Sequence, residues 1–134
     1  MSQANVSRVQ ELYAAFVRGD IATIVNAASD DIHWESVGRP ADYPAYGPRK
    51  GRAGMQEFFK LVADNIAFSE FSPREFYPVD DKVFVLGHYA GTTTKTGRKF
   101  SSDWVHIFSF RDAQVTSFRE FSDTAQIAEA YRGS

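Results

Sequence analysis

Val6, Val9, Leu12, Tyr13, Phe16 and Val17 recur at three- and four-residue spacing, which lines one face of an amphipathic helix. Ser2 or Asn5 is placed to cap its start, and Gly19 to stop it. Asp20 then holds the N-cap position of a short helix, Ile21 to Ala28. Asp30 and Asp31 mark a break before a short strand, Ile32 to Val37. Gly38 to Gly51 carries Pro40, Pro44, Gly47 and Pro48, which predicts a loop. Loops of that length inside a compact domain are often functional. A third helix spans about Ala53 to Asn65, with Met55, Phe58, Phe59 and Val62 on one side.

Beyond Asn65 the period changes from helix to strand. Ile66 to Val79 is extended and interrupted at Pro73, which predicts an edge position or a bulge. Turns at Asp80–Asp81, Thr96–Gly97 and Asp112–Ala113 separate the strands Lys82–Thr94, Arg98–Phe110 and Val115–Ser122. Asp123-x-x-Gln126 has the form of a capping box for a terminal helix. Helices followed by a four-strand meander make an α+β fold, a curved antiparallel sheet wrapped on the N-terminal helices as a cone around an internal pocket. Along Trp104–Phe110, and again along Lys82–Leu86, both faces are apolar. One face packs on helices; the other calls for a partner, and a homodimer through the sheet face is the expectation.

Composition narrows the function. The chain of 134 residues predicts a single domain over 1–134. Twelve Phe, six Tyr and two Trp argue against disorder. A net charge of −2 argues against a nucleic-acid partner. No cysteine is present, hence no disulfide framework and no thiolate metal site. No apolar run is long enough to span a membrane, and the N-terminus lacks a signal-like core. The expected location is cytoplasmic.

The residues suited to chemistry sit on the strands. His88, His106 and Glu120 all have even numbers on three successive strands. The midpoints of the two intervals, Gly97 and Ala113, fall in predicted turns. With period-two alternation the three side chains share one face, unless a bulge flips the parity. Imidazole and carboxylate are the usual proton-moving pair. Glu35, at the end of the first strand, is a second carboxylate to weigh against a plain solvated charge. His33-x-Glu35 offers two metal ligands, a site that would need His106 and Glu120 for completion; no metal and no cofactor is expected. Asp103 and Arg119 have the opposite parity, and Asp123 is explained as a cap. Trp34, Tyr43, Tyr46, Phe58, Trp104 and Phe108 are core or ligand-binding aromatics, with Tyr43 and Tyr46 on the Pro/Gly loop where a pocket mouth would lie.

Three segments carry a family resemblance: Val9-Gln-Glu-Leu-Tyr-Ala-Ala-Phe-Val-Arg-Gly-Asp20, Ser29-Asp-Asp-Ile-His-Trp-Glu-Ser-Val-Gly38, and Gly51-x-x-Gly-Met-Gln-Glu-Phe-Phe59. With Tyr46-Gly47, the Gly91–Gly97 hairpin and Phe118-Arg-Glu-Phe-Ser-Asp123, the chain resembles the SnoaL-like and ketosteroid-isomerase-like members of the nuclear transport factor 2-like superfamily. The resemblance implies a cone of curved sheet closed by helices, usually dimeric, with a deep apolar pocket. It does not carry the steroid isomerase site. The catalytic aspartate of those enzymes matches Ser36, beside Glu35. Their tyrosine matches Leu12, with Tyr13 adjacent, and their second aspartate matches His106. SnoaL-like cyclases use a strand histidine and a carboxylate fourteen residues later, a spacing that His106 and Glu120 reproduce. Members resembling scytalone dehydratase hold paired strand histidines, echoed by His88 and His106.

The resulting expectation is a cofactor-free acid–base enzyme, an isomerase, cyclase or dehydratase, acting on a small apolar carbonyl or polyketide-like compound. Glu120 abstracts a proton, its pKa raised toward neutral by burial. His106, with His88, donates to the developing enolate. The alternative is a module of the same fold that only binds a small apolar ligand or dimerises.

Overall fold

The structure, a computed structural model, describes residues 2–133. The elements run α1 (Ser2–Val17), α2 (Ile21–Asn26), β1 (Ala28–Ser36), β2 (Gly47–Lys50), α3 (Gly51–Asn65), β3 (Ile66–Val79), β4 (Lys82–Thr93), β5 (Lys99–Arg111), β6 (Gln114–Ser122) and α4 (Thr124–Arg132). The fold is α+β. Six strands form one open sheet in the order β2-β1-β6-β5-β4-β3. The meander β3 to β6 is antiparallel, as the turn spacing predicts.

Two features correct the expectation of a wholly antiparallel sheet. Gly47–Lys50, inside the predicted loop, forms a strand paired antiparallel with β1. A four-residue strand holding a proline leaves too short a pattern to read. β1 itself pairs parallel with β6, so the sheet is mixed. β1 also begins at Ala28 rather than Ile32. Its Asp30 and Asp31 are exposed where the pairing with β6 is irregular, between Ala28 and His33.

Local signals place the other boundaries. Gly19, at φ 76°, adopts the left-handed conformation that ends α1. Asp20 caps α2 by accepting from the Thr23 amide at 3.2 Å. Asp123 caps α4 through the Gln126 amide, but its own N–H donates to Ser102 Oγ at 2.9 Å, so only half of the capping box forms. Asn5 lies within α1 rather than at its cap, and the Ser2 side chain is outside the described residues. β3 is an edge strand, and its register shifts between Pro73 and Glu75.

The apolar face of α1 lies over β3 and β4, and α3 lies over β1. Val9, Ile32, Met55, Val83, Val85, Val115 and Ile127 are fully buried between these layers. Among the described residues no helix is long and apolar enough to cross a membrane. The inner face of the sheet is thereby closed off from solvent, and a cavity remains inside it.

Candidate active site

The hairpin β5–β6 decides which side chains meet. Its turn is two residues long, Asp112 at φ 51° and Ala113 at φ 66°, with Arg111 opposite Gln114. Both central residues at positive φ make a type I′ turn. An even loop alone would put His106 and Glu120 on opposite faces. The register shifts once, however: Phe110 faces Val115, while Ser109 faces Ser117. Thr116 is the extra residue, a bulge that restores the parity. His106 and Glu120 therefore pair directly and point inward. In the β4–β5 hairpin no such shift occurs. Val85 faces His106, and His88 faces Asp103.

Four side chains from three parts of the chain join at the inward position. Tyr13 Oη lies 2.7 Å from His106 Nδ1. His106 Nε2 lies 2.8 Å from Glu120 Oε2. Ser36 Oγ donates to Glu120 Oε1 at 2.7 Å; the parallel register of β1 and β6 places Ser36 directly beside Glu120. Trp104 stacks on the imidazole at 3.7 Å, with Tyr13 stacked at 5.9 Å and Phe118 edge-on at 4.9 Å. His106 is 4% exposed and Glu120 9%.

Burial fixes the protons. The Tyr13 phenol is pushed well above the ordinary tyrosine range by burial, and further by the Glu120 charge. It therefore keeps its proton and donates to Nδ1, so that the proton on the ring sits at Nε2 and points at Glu120. Burial lowers the His106 pKa, against the pull of Glu120, so the imidazole is neutral. Burial by itself raises Glu120, but the hydrogen bond and electrostatic pull of His106, with Ser36 and Tyr89, outweigh it and hold the carboxyl below its usual value. Glu120 is a buried carboxylate. This corrects the expected rise toward neutral: counting aromatic neighbours omitted the donors that face both oxygens. It also corrects the role given to His106, because both ring nitrogens already have partners.

The cavity between sheet and helices measures about 80 Å³. Tyr13, Ser36, His106 and Glu120 reach it together with Trp34, Tyr43, Tyr46, Phe58 and Phe108. Tyr43 and Tyr46 are carried on the loop between β1 and β2, and their rings meet at 5.0 Å. Their hydroxyls are buried, with no hydrogen-bond partner among the described residues. Burial raises both phenols above the ordinary value, so both stay protonated.

Three predicted site residues lie elsewhere. His88 lies on the outer face, where its Nδ1 meets Asp103 Oδ1 at 2.8 Å; the four-residue connection Thr94–Gly97, closed by the Thr93–Arg98 hydrogen bond, flips it away. Glu35 alternates with inward Trp34 and Ser36 and so faces outward with His33. Trp104 is buried behind the imidazole and supports it without lining the cavity. Among the described residues, no three His, Cys, Asp or Glu side chains are grouped as a metal site needs. Tyr13 and Ser36 are the site residues that strand reasoning missed. Tyr13 was absorbed into the helix face, although its hydroxyl is the one polar group among those six positions.

A family model described as the SnoaL-like domain matches residues 9–118, which hold Tyr13, Ser36 and His106. This chain belongs to the SnoaL-like domain family. No curated protein matches it. Among solved structures, the SnoaL-like domain is similar to an NTF2-like protein from Burkholderia xenovorans LB400, with 31% identity, 98% of each chain covered and a TM-score of 0.88. An NTF2-like protein of unknown function from Burkholderia pseudomallei K96243 is 27% identical over 98% of each chain, with a TM-score of 0.88. TerC, co-crystallized with polyporic acid, is 28% identical over 96% of this SnoaL-like domain and 98% of its own chain, with a TM-score of 0.85.

Proposed function

We propose that the cavity is a cofactor-free acid–base site for a small, largely apolar carbonyl compound. The observation that carries this reading is the buried chain Tyr13–His106–Glu120–Ser36, which holds an ionised carboxylate against an aromatic cavity. His106 and Ser36 each occupy one lone pair, on different Glu120 oxygens, Tyr89 comes close as well, and the two oxygens still have capacity for a ligand. Glu120 takes a proton from the carbon next to the carbonyl. The C–H electron pair forms the enolate, and the proton returns to the ligand at the same or another carbon. A carboxylate of unraised pKa can serve as such a base where water is excluded. His106 and Tyr13 act as positioning residues that fix the carboxylate rotamer. Isomerisation, aldol cyclisation and dehydration share this first step. The co-crystallization of the similar protein TerC with polyporic acid supports a small organic ligand.

Deuterium incorporation from D2O into indan-2-one, a compact enolisable ketone, tests the reading. Glu120→Gln keeps an acceptor for His106 and a donor for Ser36, so the fold is retained. Exchange above the buffer rate should fall by about 100-fold or more in that variant. Exchange that survives the substitution refutes Glu120 as the base. A second reading has its own support: both His106 nitrogens and both Glu120 oxygens have protein partners, as in a purely structural network. Ketone binding with no exchange in the wild type would select that reading, a ligand-binding module.

We also propose that the outer sheet face joins a second copy of the chain. Leu86, Phe121, Tyr77 and Val79 are exposed there at 37%, 38%, 49% and 51%. An apolar face of this kind can be self-complementary under a two-fold axis. A monomeric mass by light scattering at micromolar concentration refutes the dimer.

A further inference from the structure

The donors in the cavity do not balance. An enolate oxygen formed at Glu120 needs hydrogen-bond donors. His106 has none left, since Nδ1 accepts from Tyr13 and Nε2–H is given to Glu120. Ser36 gives its proton to Glu120 as well. Tyr89 also lines the cavity, with its hydroxyl turned toward Glu120; the donors left away from the carboxylate are the hydroxyls of Tyr43 and Tyr46, buried and unpartnered among the described residues, and the Trp34 Nε1–H. A buried hydroxyl without a partner is unfavourable, and native structures rarely keep two together without a use.

The surrounding loop is built to hold the two phenols. The Tyr46 amide donates to the Tyr43 carbonyl at 3.0 Å, closing a turn. Arg39 grips Asp42 with two hydrogen bonds, at 3.0 and 3.1 Å. Arg49 reaches back to the Pro44 carbonyl at 2.9 Å. Tyr131 of α4 packs edge-on against Tyr43 at 5.5 Å. Gly38 lies flat against the Tyr46 ring, and a Cβ there would stand 2.6 Å from the ring carbon Cδ2. The two rings are thus held in place, and neither hydroxyl makes a hydrogen bond among the described residues, although that of Tyr46 lies near Ser122.

We infer that Tyr43 and Tyr46 form a two-donor subsite for a ligand oxygen, which makes the ligand class an uncharged cyclic ketone. The inference rests on the acid–base reading for its chemistry, and adds where the carbonyl lies. The ring occupies the aromatic cavity, the α-carbon faces Glu120, and the carbonyl oxygen accepts from one or both phenols. An anionic ligand is disfavoured, because the Glu120 charge already occupies the pocket.

The test compares indan-2-one with indane, the hydrocarbon of the same shape, by titration calorimetry on wild type, Tyr43→Phe, Tyr46→Phe and the double variant. Loss of the donors should weaken indan-2-one by about tenfold, the factor that a net hydrogen bond of ordinary strength supplies. Indane binding should be unchanged or tighter. The single variants should each raise the melting temperature, because an unpaired buried hydroxyl is replaced by hydrogen. Equal weakening of ketone and hydrocarbon, unchanged ketone affinity in all three variants, or a fall in melting temperature with both single variants overturns the subsite. Glu120→Gln separates the two ideas: it should lose deuterium exchange yet keep the tyrosine-dependent preference for the ketone. If exchange proves independent of Glu120 while that preference stands, the base fails and the subsite survives.

Discussion

The Tyr→Phe exchange at position 13 should act in the opposite sense to the same exchange at position 46. Tyr13 donates a buried 2.7 Å hydrogen bond to His106 Nδ1. Removing the hydroxyl leaves that nitrogen in a dry environment with no donor, at a cost of about 1–3 kcal/mol. The ring itself stays, and so do its contacts with Phe108 at 5.8 Å, Trp104 at 6.0 Å and Phe71 at 6.0 Å. No cavity term is therefore added. For a chain of this length about 1 kcal/mol corresponds to roughly 4 °C in Tm, so Tyr13→Phe should melt about 4–12 °C lower. Tyr46→Phe removes a hydroxyl that has no partner and should melt higher. Urea denaturation of both variants beside the wild type, fitted with a common slope, reads the two signs directly. Equal shifts of the same sign would refute the hydrogen-bond assignment, since burial and ring packing alone treat the two positions alike. A cycle with Glu120→Gln then asks whether the Tyr13 bond is coupled through the imidazole, which predicts a non-additive term above about 0.5 kcal/mol.

Acid should weaken the fold by two routes with one sign. His106 is depressed below its usual 6.5 by burial, despite Glu120, and Glu120 lies below its usual 4.5 through its donors, despite burial. In both cases the unfolded chain binds protons more readily, so stability rises with pH over that window and is lost as pH falls through each folded pKa. Urea midpoints between pH 7 and 4 should therefore decline in the wild type, and at least as steeply in Glu120→Gln, where His106 loses the charge that opposes burial; a flat wild-type profile would contradict the assigned charges. Gly38→Ala should push the Tyr46 ring aside, since its Cβ has no room. The expected loss is about 1–3 kcal/mol, with weaker ketone binding, and calorimetry showing wild-type affinity would dismiss the cradle.

Much of the fold was legible because its signals were local. The α1 face, the Asp20 and Asp123 caps and the meander turns follow from residues close in sequence. What escaped depends on pairing at long range or on single-residue irregularities. The pairing of His106 with Glu120 was legible through a coincidence: a two-residue turn and the Thr116 bulge each shift the parity, and together they restore it. Asp112–Ala113 is an atypical I′ pair, lacking the usual glycine, so neither shift announces itself. His88 had no compensating bulge and landed outside. β2 and the parallel contact of β1 with β6 are set by tertiary packing, and Ser36 came to Glu120 only through that contact. Tyr13 hid within an apolar periodicity that it also satisfies.

The parallel seam between β1 and β6 has a consequence for how the protein is made. Ser36 waits 84 residues for Glu120, and Tyr13 waits 93 for His106. During synthesis the helices and β1 emerge long before the strand that fills the gap beside β1. Until β6 arrives, the nascent chain exposes an unfilled aromatic trough and an unpaired strand edge, the features that recruit chaperones or invite association between ribosome-bound neighbours. Closure of so distant a contact is intrinsically slow. The carboxylate that defines the pocket thus leaves water only when β6 docks, and a chain halted before β6 carries Tyr13, Ser36 and His106 without the base they position.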